Sequence, residues 1–178
     1  MIIFDTETSA LTSPEAANIN SQPRIIEFAA IKVHNDTLKE ISRIESFIHP
    51  GISIPVDSVK ITGITDKMVA NAPRFASFYE ELCEFFLGED TLCAHNLAFD
   101  SSVMKYELTR IDRLTRFPWP PNQVCTVEAT IGLKGYRLNL GKLHELATGK
   151  EHLDKHRAIA DVEALATCVR WLRKNKML

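Results

Sequence analysis

MIIFDTET, residues 1–8, runs three apolar residues, Ile2, Ile3 and Phe4, straight into Asp5, with Glu7 two places further on. An apolar run of this kind reads as a buried strand, and residues 1–7 are expected to form one. Alternate strand residues share a face, so Asp5 and Glu7 project together from its end. Taken alone, the pair has an ordinary explanation as two solvated acids at a strand end. Two later stretches bear on whether it has another.

The first is AHNLAFD, residues 94–100. A short buried strand, TLCAH at 91–95, leads into a helix expected over 96–110, with Asn96 as its N-cap. Asp100 falls in the first helical turn, where the helix dipole favours an acid. That explains Asp100 by itself but leaves His95, Asn96 and Phe99 unaccounted for. The second is HRAIAD, residues 156–161. Val162, Leu165, Ala166, Val169 and Leu172 form an apolar stripe on a last helix expected from about 156 to 174. Asp161 lies at the edge of that stripe and faces the body of the protein, where a carboxylate needs a partner. His156 stands five residues earlier, about 140° round a helix, so the two cannot share a face. His156 is expected on the loop or first turn leading in.

Four acids on three elements repel one another strongly without counter-charge. Two divalent cations would supply it, and oxygen-only ligands suit Mg²⁺ or Mn²⁺. Such a pair can clamp the attacking and leaving oxygens of a phosphoryl transfer. A neutral histidine nearby can take the proton of the attacking water.

The remaining sequence is that of an ordinary globular domain. Its 178 residues are expected to make a single domain over 1–178. The net charge of −2 excludes a general basic coat, so any nucleic acid must be held locally, by metals or a small basic patch. The four cysteines, at 83, 93, 125 and 168, form no C-x-x-C and suit neither a disulfide framework nor zinc. They read as reduced thiols of a cytoplasmic protein, and neither a signal peptide nor a membrane span is visible.

Strands are expected at 24–34 and 41–50, the second half exposed, completing an antiparallel meander with the first. Residues 9–23 read as a long loop. Two short helical turns at 57–73, broken at Gly63, precede an amphipathic helix at 73–88. QVCTV at 123–127 reads as a short strand, followed by short helices in EATIGL and NLGKLHELA. Strands first, then strands alternating with helices, give a mixed α/β domain.

FDTET, AHNLAFD and HRAIAD, in this order, resemble the DnaQ-like 3′→5′ exonucleases of the DEDDh class, across about residues 2 to 172. The resemblance implies an α/β, RNase H-like fold with a five-stranded mixed sheet flanked by helices. It implies that Asp5, Glu7, Asp100 and Asp161 bind two divalent cations, Mg²⁺ or Mn²⁺, and that His156 is the general base. It also implies that Thr6, Thr8, Leu11, Ile61 and Phe99 handle the terminal nucleotide, and Asn96 of the second motif is counted with them. The chain departs from the family pattern at Ser9-Ala10, where T-G is common, and at Thr62, where many members carry histidine. It lacks the tail with which the polymerase subunit docks, so a free-standing enzyme or a trimmed piece is expected.

Other histidines have plainer readings. His34 and His49 are expected to be solvated, His144 to pack, and His95, the rival base, to make a structural hydrogen bond at a strand end. His152 forms H-x-x-x-H with His156 but lacks the glutamate of a zinc protease. Trp119 reads as a loop anchor, and Arg170, Arg173, Lys174 and Lys176 as a solvated last turn.

The expected function is a metal-dependent 3′→5′ exonuclease that releases nucleoside 5′-monophosphates from single-stranded DNA or frayed 3′ ends. One alternative is an exoribonuclease of the same fold, which the motifs cannot separate. Another is a non-catalytic nucleic-acid-binding module, against which all five catalytic residue types count. Association with a DNA polymerase is left open, and no membrane partner is expected.

Overall fold

The computed structural model describes residues 1–13, 18–153 and 156–178, the side chains of 133 and 134 excepted. Five strands form one sheet: β1 Ile2–Thr8, β2 Ile25–Val33, β3 Glu40–Phe47, β4 Thr91–Ala94 and β5 Asn122–Cys125. Their order is β3-β2-β1-β4-β5. β1 to β3 are the expected antiparallel meander, while β4 pairs parallel to β1, and β5 parallel to β4. Among the described residues seven α-helices flank the sheet: α1 Val56–Thr62, α2 Asp66–Val69, α3 Phe75–Phe86, α4 Leu97–Arg110, α5 Thr126–Lys134, α6 Leu140–Thr148 and α7 Ala158–Lys174.

β1 is central and covered on both faces, which is why its sequence opens as an unbroken apolar run rather than alternating. Ile2 and Phe4 point into a core built with Phe28, Phe78 and Phe86, under α3 and α4. Ile3 points the other way, to Ala29, Ile31, Val162 and Leu165 under α7. The period of two then decides the site. Asp5 and Glu7 are in phase with Ile3 and belong to the α7 face. Thr6 is in phase with Phe4 and belongs to the α4 face.

Three expectations are corrected. QVCTV does not stay extended: β5 stops at Cys125 and α5 begins at Thr126, which is fully buried. The 9–23 segment is not all loop, because Ile19–Ser21 forms a turn of 3-10 helix; residues 14–17 lie outside the described residues. Arg170 and Arg173 are not merely solvated: they donate to the carbonyls of Leu38 and Asn35, tying α7 to the β2–β3 hairpin. The four cysteines are free thiols. No described helix is long and apolar enough to cross a membrane.

Candidate active site

β1 and α4 bring three acids together. Asp100 stands in the first turn of α4 and is 3% exposed. The backbone N–H and hydroxyl of Thr6 both donate to its Oδ1, at 3.1 and 2.7 Å. Thr6 therefore aims Asp100 at the end of β1, and its hydroxyl is committed to that task. Burial, and then the charges of Asp100, Asp161 and Glu7, push the Asp5 carboxyl well above its ordinary value. Burial pushes Glu7 up to about 8, with Asp161, Glu27 and Asp100 adding to it. Burial also raises Asp100 to about 7 against the opposing Thr6 hydrogen bonds.

The N-terminus of α7 supplies the rest. A carboxylate oxygen of Glu7, one of Asp161 and a ring nitrogen of His156 lie within 4.8 Å of one another. The four acids expected from sequence thus converge, and His156 sits in the turn before the helix, as expected. The four carboxyls, buried in Glu7, Asp100 and Asp161 and half-buried in Asp5, are oxygen donors whose charges oppose each other. That donor set fits a hard divalent cation, because its net negative charge and all-oxygen chemistry are what such an ion requires.

Asp161 is held at both oxygens. Its Oδ1 meets His152 Nε2 at 2.5 Å, and its Oδ2 accepts the His156 N–H at 3.0 Å. His156 takes a left-handed backbone, φ +65°, uncommon for a residue other than glycine. The next residue anchors it: Arg157 donates Nε and Nη2 to Glu27 at 3.2 and 2.9 Å, and the Ala158 N–H donates to Glu27 at 3.0 Å. Glu27 lies directly opposite Glu7 in the β1–β2 register and is 5% exposed.

Sequence reasoning missed His152, Glu27 and Arg157. His152 had been weighed only as a zinc ligand. Glu27 carries a signal that could have been used: a lone acid inside IIEFAAIKV, a strand otherwise too apolar to leave it unpaired. His95 takes the structural role expected of it. Its Nδ1 pairs with the Thr126 hydroxyl at 2.9 Å, and burial lowers the ring to about 4.

Beside the acids lies a groove of about 540 Å³, lined by Thr6, Glu7, Thr8, Leu11, Ile61 and Phe99 among others. Leu11 and Ile61 are 83% and 60% exposed at its edge. Bulky apolar side chains bared beside a polar centre mark a surface for a ligand. Asn96 occupies the N-cap position of α4 but makes no side-chain capping bond, and its backbone is left-handed at φ +68°.

The family model described as Exonuclease matches residues 2–169, and the chain belongs to that family. The matched region contains all three of the motifs FDTET, AHNLAFD and HRAIAD. A DNA polymerase III of PolC type from Oceanobacillus iheyensis is 33% identical over 168 residues, which is 92% of this chain and 11% of the polymerase. The chain thus spans about a tenth of that relative. Exonuclease X, solved with 5′-overhanging duplex DNA, superposes with a TM-score of 0.68 at 22% identity, covering 98% of this chain and 92% of its own. The nuclease domain of the 3′ exonuclease 3′hExo, a DEDDh family member solved with rAMP, reaches 0.75 at 18% identity, covering 98% and 91%. Both share the RNase H-like fold.

Proposed function

We propose that residues 1–178 form a single metal-dependent exonuclease domain that removes nucleoside 5′-monophosphates from the 3′ end of DNA. The observation that carries this reading is the convergence of Asp5, Glu7, Asp100, Asp161 and His156 at the end of β1. Divalent cations held by the four acids, Mg²⁺ or Mn²⁺, would offset their repulsion and polarise the scissile phosphate. His156 presents a ring nitrogen beside Glu7 and Asp161, and it accepts the proton of the attacking water. Asp161 and the Glu27–Arg157 pair fix the backbone on either side of that ring. Leu11, Ile61 and Phe99 would seat the terminal nucleotide, with Thr8 and Asn96 assigned to its polar edges.

DNA is favoured because the PolC-type relatives are DNA polymerases and exonuclease X was solved on DNA. On the same grounds association with a DNA polymerase and a cytoplasmic location are proposed. RNA is the second reading, favoured by the 3′ exonuclease neighbour that holds rAMP. The test is cleavage of matched 5′-labelled DNA and RNA oligomers, with Mg²⁺ and with EDTA. Stepwise shortening from the 3′ end that needs the cation is expected, and faster on DNA. Rapid cutting of a circular single strand would show an endonuclease and overturn the reading.

A further inference from the structure

The end of β3, the start of α3, the last turn of α4 and the start of β2 enclose a second cavity, about 500 Å³. Its floor is apolar and fixed, since Ile48 and Phe75 are 1% and 4% exposed. Its walls carry Arg24, Arg74, Arg110 and His49.

One carboxylate, Glu107, faces these cations, and it is fully engaged. Its Oε1 accepts the Ile25 N–H at 3.2 Å and meets Arg110 at 3.3 Å, and its Oε2 meets Arg24 at 3.3 Å. Burial lowers the Arg110 guanidinium from its ordinary value; Glu107 opposes that shift and the neighbouring Arg24 adds to it. Arg74, exposed at the rim, forms no ion pair among the described residues. The Nδ1 of His49 accepts the Gly51 N–H at 3.0 Å, which leaves Nε2 as the ring's N–H donor. The Arg110 Nη atoms also donate to the carbonyls of Ile19, Gln22 and Pro23, so Arg110 adds charge to the wall while Arg74 and His49 offer the donors. Three guanidiniums against one spent carboxylate leave surplus positive charge. This happens in a chain whose net charge is −2.

The cavity is coupled to the acid cluster by two elements. Arg110 lies ten residues along α4 from Asp100, about 15 Å at the helical rise. Arg24 exchanges two hydrogen bonds with Ser9, both 2.9 Å, and Ser9 lines the groove beside the acids.

We propose that this cavity is a phosphate subsite, holding a backbone phosphate of the nucleic acid several nucleotides from the 3′ end under attack. The inference rests on the exonuclease reading. The guanidinium fork of Arg74 matches phosphate oxygens bidentately, and the charges of Arg24 and Arg110 behind it add to the attraction. The apolar floor suits the sugar or base attached to that phosphate. A free phosphate ion shares the first part of this chemistry but not the dependence on strand length.

The experiment compares the wild type with Arg74→Glu on a DNA dinucleotide and a dodecamer in Mg²⁺, with His49→Gln as a second variant. On the dodecamer Arg74→Glu should raise KM about tenfold with little change in kcat, and the salt slope of log KM should fall by about 0.7. The dinucleotide cannot reach the cavity and supplies the baseline for that ratio. An equal effect on both lengths, or none on either, would overturn the subsite. So would inhibition by inorganic phosphate that Arg74→Glu abolishes without any length dependence, because the cavity would then hold a free ion. A wild type that cleaves neither length sinks the exonuclease reading and the subsite with it.

Discussion

The two halves of the candidate site are held in different ways. Asp5, Glu7 and Asp100 are mounted on the central strand and the first turn of α4, elements whose apolar residues are anchored in the core. One short bond pattern from Thr6 completes that half. Asp161 and His156 stand where a loop enters α7, and side chains do the holding: His152 on Asp161, and Glu27 on Arg157 and Ala158. Those anchors also keep His156 in a left-handed backbone that costs about 1–2 kcal/mol. The sheet thus places most of the acids, and long-range side-chain bonds place His156. Variants should separate the two.

The largest effect is expected where the halves meet. Asp161→Asn keeps the size of the side chain and removes its charge. Cleavage should fall by more than about a thousandfold, since the cation's several kcal/mol of charge stabilisation depend on this ligand. The fold should survive, because one acid fewer relieves repulsion on Asp5 and Glu7. A variant that retains a tenth of the wild-type rate removes Asp161 from the metal-binding set; the measurement is single-turnover cleavage with a circular dichroism melt alongside.

Next comes the base. His156→Ala should lose about two to four powers of ten in turnover and still bind DNA, the usual worth of a positioned general base. His95→Ala should lower the melting temperature more than the turnover, because its ring bonds Thr126 between β4 and α5. If His95→Ala is the slow enzyme and His156→Ala the fast one, the base has been assigned to the wrong ring.

The first half was legible in the sequence and much of the second was not. Asp5, Glu7 and Asp100 announce themselves by local grammar: period two in a strand, and an acid in a first helical turn. Asp161 followed from its place on an apolar stripe, and His156 from the 140° that kept it off the helix, an angle set by about 3.6 residues per turn. The anchors obey no local rule. Glu27 and Arg157 are 130 positions apart and His152 is nine from Asp161, through a turn whose path no pattern gives. The end of β5 was missed for a related reason. Thr126 suits a strand by propensity, but its burial against His95 rewards the helix start.

A smaller effect should follow from loosening the anchor. Glu27→Gln keeps one acceptor for the Ala158 N–H and loses the charge that grips Arg157. Turnover should fall about 10–100-fold with KM nearly unchanged, the range seen when the partner of a site residue is lost. Arg157→Lys should resemble it, because an ammonium cannot span both contacts to Glu27. The check is a kcat and KM comparison on one DNA oligomer. A rise in KM at constant kcat would move Glu27 from positioning the base to shaping the groove.

The smallest effect is on stability, and it reports the acids of the first half directly. Glu7 is pushed up to about 8 and Asp100 to about 7 in the folded protein. Both titrate near 4 when unfolded, at about 4.3 and 3.9. Between about pH 4 and 8 the metal-free folded protein therefore keeps protons that the unfolded chain has released, so its stability falls as pH rises. His95 works in the opposite sense lower down. Its folded value of about 4 lies below the unfolded one, so its contribution grows with pH until about 6.5 and then stops. The clean window is therefore about pH 6.5 to 8, where only the raised acids act. In EDTA the melting temperature should drop across that window by about 3 °C or more, one kcal/mol being worth about 2–4 °C at this chain length. Mg²⁺ should raise the melting temperature, and more at the upper end, where its ligands are ionised without competition from protons. Glu7→Gln should flatten the EDTA curve, since one of the groups that release a proton in this window is gone. A melting temperature in EDTA that climbs from pH 6.5 to 8 would mean that the acids do not crowd one another as the fold places them, and the case for cations at the end of β1 would fail with it.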